Sequence, residues 1–151
     1  MQLKVCRIPI NEPELLEIRC HKISDEVNEI ISFVKSRQGV LNGVINGDMY
    51  EVPVPDVYYI ESVDDRTFIY TADKNYEVNL RIYEMETMLA KGSFIRIQKG
   101  MLLNLMKVKS IKPGLSGRYV ALLKNSEEVI ISRKYFPNFK KTLMGDRKDE
   151  S

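Results

Sequence analysis

Cationic and amide side chains are interspersed with apolar residues in the stretch from Phe94 to Lys112. The apolar residues predict two short buried strands with a turn between them. No acidic residue interrupts the polar set, which consists of Arg96, Gln98, Lys99, Asn104, Lys107, Lys109 and Lys112. Strands that present such groups at their connecting turn suit the binding of phosphates and base edges. The stretch therefore indicates a nucleic-acid-binding surface.

Three side chains have the chemistry for direct contact with bases. Gln98 can bond adenine through its amide, Arg133 can bond guanine through its guanidinium group, and Lys99 can bind a phosphate or a guanine acceptor. A good bidentate pair discriminates between bases by about 1 to 3 kcal/mol. Asn104 differs because it follows an apolar triplet. We predict that its side chain ties the backbone near the loop.

The charge distribution agrees with such a surface, although the net charge is only +2. Residues 1–90 hold 9 Lys/Arg and 16 Asp/Glu, whereas residues 91–144 hold 12 Lys/Arg and two acidic residues, Glu127 and Glu128. A solvated lysine face gives the same pattern, so charge alone does not identify nucleic acid as the partner. The asymmetry does place the predicted binding surface in the C-terminal half.

Enzymatic chemistry has little support in the sequence. No glycine-rich nucleotide-binding motif is present, and His21 is the single histidine. Asp64 and Asp65 form the only adjacent aspartate pair, which fits solvated acids at a hairpin corner. Cys6 and Cys20 lack the spacing of a metal or redox motif and are interpreted as buried or idle reduced thiols. We predict a protein that is not an enzyme and uses no metal or cofactor.

The length of 151 residues predicts a single tight domain with a small appendage before it. Met1–Val5 leads into a polar segment rather than a signal peptide. No apolar run approaches the roughly 20 residues of a membrane span. We therefore expect a cytoplasmic protein that makes no contact with a membrane.

Apolar spacing predicts two strands in residues 2–20, where a hairpin is weakly indicated, and then the clearest helix in the chain. Ser24 is the predicted N-cap of this helix, apolar residues follow at helical spacing from Val27, and Gly39 can end it. Such a helix fits either packing within the protein or an interface with a partner.

From Val40 onward, short β-rich segments alternate with turn residues. Asn79 is the predicted cap of a short helix, and Pro137 suits the first residue of a closing helix. We predict a β-rich α+β fold, with small antiparallel β-sheets, a short inserted helix, and an N-terminal extension made of strands and a helix.

The polar stretch also resembles a known family. The order F-x-R-I-x-K-x-x-apolar-apolar-N from Phe94 to Asn104, followed by Ile131-Ser132-Arg133-Lys134-Tyr135, is similar to the LytTR DNA-binding domain of bacterial transcription regulators. The resemblance implies three parts: an N-terminal extension at 1–45, a LytTR-like DNA-binding domain at 46–144 and a polar tail at 145–151. The extension is the candidate for dimerisation.

The resemblance further implies base or phosphate contacts at three loops, which must converge on one surface. These loops are the corner at Arg66-Thr67, the turn Gln98-Lys99-Gly100 and the segment Arg133-Lys134-Tyr135. With two neighbouring cations included, the predicted DNA-binding residues are Arg66, Thr67, Arg96, Gln98, Lys99, Gly100, Arg133, Lys134, Tyr135 and Lys140.

The sequence departs from the family pattern at the central turn. Family members commonly carry histidine where Gln98 stands and serine where Gly100 stands, so we expect a different preferred DNA sequence and a looser loop. Many relatives also carry a phosphorylatable receiver domain before the DNA-binding domain. The 45 or so residues here are too few for one, so direct control by response-regulator phosphorylation is not expected.

The function implied by the resemblance is sequence-specific transcriptional regulation through double-stranded DNA. Loops at strand ends would enter the major groove while lysines hold the flanking phosphates. Because a single small module buries little surface, we expect a homodimer on repeated half-sites. Two alternatives stay open: a module that binds single-stranded RNA, and one that binds a protein partner. The RNA alternative requires exposed aromatic rings, and most rings of the basic half lie at positions predicted to be buried.

Overall fold

The computed structural model describes residues 1–143, except for the side chains at positions 32 and 35–38. Its elements are α1 (Asp25–Gln38), β1 (Val40–Ile45), β2 (Asp48–Pro53), β3 (Tyr59–Val63), β4 (Arg66–Tyr70), β5 (Asn75–Val78), α2 (Ile82–Met88), β6 (Phe94–Gln98), β7 (Met101–Asn104), β8 (Val108–Pro113), β9 (Tyr119–Leu123), β10 (Glu128–Ile131) and α3 (Phe136–Leu143). The predicted polar tail at 145–151 lies outside the described residues.

The strands form two antiparallel sheets. The larger sheet has seven strands in the order β2-β1-β5-β4-β3-β7-β6, and the smaller sheet has the order β10-β9-β8. Most strands that follow each other in the chain pair through short turns. At the β1–β2 turn, Asn46 and Gly47 both have positive φ, which is the usual geometry of a tight hairpin. The arrangement confirms the predicted β-rich α+β fold.

The larger sheet is covered on both faces around β7, whose four residues are all buried. Leu102 belongs to an apolar cluster with Met85 of α2. Leu103 belongs to a second cluster with Ile131 of the smaller sheet and Phe139 of α3. Because successive side chains of a strand alternate between faces, β7 supplies both clusters. The β6–β7 hairpin is therefore held from two sides.

The structure confirms the two predicted helices α1 and α2, with one correction to an N-cap. The Ser24 hydroxyl accepts a hydrogen bond from the Val27 backbone N–H at 3.3 Å, so Ser24 caps α1 as predicted. The N-cap of α2 is Arg81, however, and not the predicted Asn79. The Glu84 carboxylate accepts a hydrogen bond from the Arg81 backbone N–H at 2.9 Å, which satisfies a donor at the helix start. Across residues 1–143, no helix is long and apolar enough to cross a membrane.

Residues 1–23 contain no strand, so the strands predicted within 2–20 are wrong for the single chain. One turn is formed, in which the Glu12 N–H donates to the Pro9 carbonyl oxygen at 3.0 Å. Apolar side chains on either side of this turn are exposed: Leu3 by 92%, Val5 by 85%, Leu15 by 83% and Leu16 by 64%. A strand needs a partner for its backbone groups, and no other segment of the described chain pairs with these residues.

Candidate nucleic-acid interface

Two of the predicted loops lie at the same end of the larger sheet. The β3–β4 corner turns sharply through Asp64 and Asp65, whose φ angles are 51° and 63°. The β6–β7 turn lies beside this corner, because the Ser62 N–H donates to the Gly100 carbonyl oxygen at 2.8 Å. The pairing of β3 with β7 therefore brings the two loops to one edge of the structure.

The third predicted loop joins them through two hydrogen bonds between the sheets. The Ser132 N–H donates to the Ile97 carbonyl oxygen at 2.9 Å. The Gln98 side-chain amide donates to the Ile130 carbonyl oxygen at 2.7 Å. Arg133 follows Ser132 directly, so it starts beside the turn that begins with Gln98. The structure thus makes the three loops neighbours.

A β-bulge in β6 sets the direction of Gln98. Arg96 pairs with Leu102 and Gln98 pairs with Met101, which leaves Ile97 as an extra residue. In a regular strand, Gln98 would share a face with Arg96, whose side chain points toward α2. The extra residue turns Gln98 to the opposite face, where it reaches the smaller sheet.

The Arg96 side chain links the central turn to α2 through hydrogen bonds. Its Nε and Nη2 donate to the Lys99 carbonyl oxygen at 3.0 and 2.5 Å, and its Nη1 donates to a carboxylate oxygen of Glu86 at 2.8 Å. Only 16% of the Arg96 side chain is exposed. All three guanidinium nitrogens are therefore engaged within the fold, while the Lys99 side chain stays exposed at the tip of the turn.

The β3–β4 corner presents one cation, which already has an acidic partner. The Nε and Nη2 of Arg66 donate to the two carboxylate oxygens of Glu77 at 2.9 and 2.6 Å. The hydrogen bond from Arg66 lowers the pKa of Glu77. Thr67 is only 2% exposed, so its side chain supports the corner from inside and does not face solvent.

Arg133 and Lys134 provide the free cations of the third loop. Arg133 is exposed and makes no ion pair within residues 1–143. Its aliphatic stem lies against Gly117, where an added Cβ would come within 2.9 Å of the Arg133 Cδ. Glycine at this position therefore makes room for the arginine stem. The Lys134 ammonium group lies over the Tyr135 ring at 5.4 Å from its centroid.

Helix α3 closes the interface and carries Lys140. It begins at Phe136, one residue before the predicted start at Pro137. The Ser132 carbonyl oxygen accepts a hydrogen bond from the Phe136 N–H at 3.0 Å, which ties the helix start to the end of β10. Phe139, on the inner face of α3, is fully buried, whereas Lys140 is exposed on the outer face of the helix.

Gly100 does not leave the central turn loose, in contrast to the expectation from its residue type. Its carbonyl oxygen is bonded to the Ser62 N–H, and an added Cβ would lie 3.2 Å from the Ser62 carbonyl oxygen. Glycine here allows a close approach of two backbones, so the turn is tied to β3.

The predicted role of Asn104 in tying the backbone is confirmed, although it acts at the other end of the hairpin from the turn. The Asn104 side chain is fully buried. Its Oδ1 accepts hydrogen bonds from the Ser93 hydroxyl at 2.6 Å and from the Met106 N–H at 3.1 Å. Its Nδ2 donates to the Val57 carbonyl oxygen at 2.8 Å. Asn104 thus connects the end of β7 to the segments just before β3 and β6.

A second polar contact between the sheets lies away from the loops. The Tyr59 hydroxyl of β3 donates to a carboxylate oxygen of Glu127, at 2.8 Å, in the turn between β9 and β10. Burial and this carboxylate both raise the pKa of Tyr59. The contact helps to fix the smaller sheet against the larger one, and hence Arg133 relative to Gln98.

Three residues of the interface were not found by sequence reasoning: Glu77, Glu86 and the bulged Ile97. Glu86 lies ten residues before Arg96, and Glu77 lies eleven residues after Arg66. Neither spacing corresponds to a local motif. The described residues contain no cluster of three or more His, Cys, Asp or Glu side chains that could hold a metal ion.

Comparison with known proteins agrees with this architecture. Residues 47–144 match the LytTr DNA-binding domain family. The solved LytTr DNA-binding domain of a Bacillus cereus protein is similar with a TM-score of 0.66 and 26% identity, over 71% of this chain and 97% of that chain.

Two curated relatives are named as regulators. The transcriptional regulatory protein YpdB of Escherichia coli is 27% identical over 117 residues, which are 77% of this chain but only 44% of YpdB. An uncharacterized HTH-type transcriptional regulator of Staphylococcus aureus is 27% identical over 139 residues, which are 90% of this chain and 94% of that protein. Because the family match covers most of its length, the chain belongs to the LytTR DNA-binding domain family.

Proposed function

We propose that this protein regulates transcription by binding specific duplex DNA sequences with loops at strand ends. The observation that carries the proposal is the junction of the Gln98–Gly100 turn with Arg133, held by the bond from Gln98 to Ile130. The names of the regulators that share its sequence support the class of function. The net positive charge of residues 91–144 supports a polyanionic partner.

The surroundings of each side chain indicate its role. Gln98, Lys99 and Arg133 contact base edges in the major groove, because their side chains stand at the junction of the loops. Lys134, Tyr135 and Lys140 position the flanking phosphates. Gln98 would use its Oε1 and the second hydrogen of Nε2, because the first hydrogen is donated to the Ile130 carbonyl oxygen.

The remaining predicted contacts have narrower roles in the proposal. Arg66 binds phosphate through Nη1, the guanidinium nitrogen that Glu77 does not engage. Thr67 and Arg96 support the loops without contacting DNA, because Thr67 is buried and the nitrogens of Arg96 bond to Lys99 and Glu86. Gly100 acts through the close backbone approach that it permits.

Two copies occupy repeated half-sites as a homodimer. A single module of this size buries too little surface for high specificity, and DNA-binding proteins commonly solve this by pairing. Sedimentation of the protein with a two-site duplex tests this part. A complex with one copy per duplex at saturating protein would contradict it.

Single-stranded RNA is a weaker candidate, because the basic half lacks a stacking platform. No aromatic ring in the described residues from 91 to 143 is among the exposed side chains. Tyr119 and Phe136 are partly buried and stack on each other, with ring centroids 3.6 Å apart. Single-strand binding by this class of surface relies on exposed rings.

Selection of bound sequences from random duplexes, at two salt concentrations, tests the proposed function. We expect an enriched motif whose affinity exceeds that for random duplex at both concentrations, while both affinities fall with added salt. Binding without an enriched motif, or a preference for single strands, would contradict the proposal.

A further inference from the structure

We infer that residues 2–19, called the arm below, form a β-hairpin that pairs this chain with a second copy of itself. The inference deepens the two-copy part of the proposed function by naming the segment that joins the copies. It is tested without DNA, so it stands or fails separately from DNA recognition.

The one turn formed in this region gives the register that we propose for the two sides of the arm. The Glu12 N–H to Pro9 carbonyl bond closes a turn with two central residues, Ile10 and Asn11. If that register continues along the arm, two residues lie opposite each other when their numbers add up to the same sum as 9 and 12. The apolar pairs are then Leu3 with Ile18 and Val5 with Leu16.

The same register places opposite charges directly across from each other. Lys4 faces Glu17, and Arg7 faces Glu14. Opposite-charge pairs across antiparallel strands are stabilising, whereas a shift by one residue would move every side chain to the other face. Pro13 falls at a position where the missing N–H would point away from the partner strand, so the hairpin tolerates it.

The hairpin would have a more apolar first face and a mixed second face. Leu3, Val5, Leu16 and Ile18 share the first face, which also holds the Arg7–Glu14 pair nearer the turn. Lys4, Cys6, Leu15 and Glu17 share the second face. In the single chain, three of the four apolar side chains on the first face are 64% to 92% exposed. Contiguous exposed apolar surface of this kind marks an interaction site.

A second copy is the occupant that fits this face. An isolated two-stranded hairpin is marginal in water, which explains why the single chain leaves the arm unpaired. A twofold contact between the first faces of two arms would bury these apolar side chains.

The charges also favour the arm as the point of contact. Residues 1–23 carry four Lys/Arg and three Asp/Glu, so two arms meet without strong repulsion. Residues 91–144 carry 12 Lys/Arg and two acidic residues, so two such halves repel each other. The arm also lies outside the family-matched residues 47–144, which leaves the proposed DNA-binding loops free in the dimer.

Adjacent leucines on opposite faces provide a matched test. Sedimentation equilibrium of the whole chain without DNA is expected to show a dimer in the micromolar range. Leu16→Glu should raise the dimer dissociation constant at least about tenfold, because a charge replaces a buried leucine. Leu15→Glu, on the mixed face, should leave it nearly unchanged. A wild-type chain that stays monomeric, or equal effects of the two variants, would overturn the inference.

A charge exchange tests the register. Lys4→Glu should raise the dissociation constant by about two- to fivefold, and Lys4→Glu/Glu17→Lys should restore it. Failure of the double variant to restore dimerisation would overturn the pairing. All of these variants should bind a duplex with one half-site as the wild type does. A chain that dimerises through the arm but selects no DNA sequence would support this inference and contradict the proposed function.

Discussion

Two regions of the proposed interface contain arginines with opposite surroundings. On the side of α2 and β5, Arg96 and Arg66 are engaged by Glu86 and Glu77. At the junction of β10 and α3, Arg133 has no acidic partner in the described part of the chain. The sequence motif presents all three as cations, but the carboxylates of neighbouring elements decide which ones are free to bind DNA.

The difference has an energetic basis. An arginine that already pairs with a carboxylate exchanges one partner for another when it meets a phosphate, so its net gain is small. A free arginine at the surface adds both charge and unfilled donors. We therefore expect removal of the engaged arginine to affect folding and removal of the free one to affect recognition.

The largest effect is expected for Arg96→Ala. Loss of the bonds to the Lys99 carbonyl oxygen and the Glu86 carboxylate should lower the free energy of unfolding by about 2 to 3 kcal/mol, because these acceptors lose their donors and the mostly buried arginine stem no longer packs. Denaturant unfolding measures this change. Arg133→Ala is the matched control and should unfold like the wild type. Equal free energies of unfolding for the two variants would show that the Arg96 contacts contribute little to stability.

Arg133→Ala should instead weaken recognition. We expect a loss of about 1 to 3 kcal/mol on the selected duplex and a much smaller loss on random DNA, because the guanidinium fork addresses a base. Titration of both duplexes at one salt concentration gives the ratio. An unchanged ratio in a folded variant would make Arg133 a phosphate contact and would leave base recognition to Gln98 and Lys99.

Lys140→Ala should weaken binding to all duplexes alike. Its ammonium group lies on the outer face of α3, where it can reach phosphate. If it contacts one phosphate, the slope of log affinity against log salt should fall by about one unit. A sequence-dependent loss would contradict this role.

The smallest effect is expected for Glu77→Gln, which removes the acidic partner of Arg66. Because the pKa of Glu77 is lowered in the folded chain, its contribution to stability is present above its unfolded pKa and is lost as the pH falls through the folded value. The variant should lose this dependence on acid pH, measured by denaturant unfolding at neutral and acid pH. It should also bind random duplex slightly more tightly, because Arg66 is released. Weaker binding would indicate that Glu77 positions Arg66 for DNA.

Much of the fold follows from local signals in the sequence. The Ser24 cap, the tight turn at Asn46-Gly47 and the buried strands around the central turn depend on residues close together in the chain. The family resemblance supplied the candidate loops. Their neighbouring positions agree with the expectation that they converge, and their contacts with DNA stay predictions.

The parts that sequence reasoning missed depend on distant partners. The apolar pattern of the arm is typical of strands, but a strand also needs a neighbour, and the single chain provides none. The alternation in Phe94–Gln98 is regular, so nothing in it indicates the bulge at Ile97. Arg96 and Arg133 look alike as residues, and only the fold distinguishes them by bringing Glu86 to one and not to the other.

The proposed interface is divided between two sheets. This division separates two properties of the DNA site: which bases are preferred, and how far apart they lie. Gln98 and Lys99 stand on the larger sheet, Arg133 follows the last strand of the smaller sheet, and the Tyr59–Glu127 contact holds the sheets together at 2.8 Å. Substitution of a base-contacting residue would change which base is preferred. Substitution at the contact between the sheets would change the spacing between preferred bases. In evolution, base identity and base spacing could thus diverge through separate mutations.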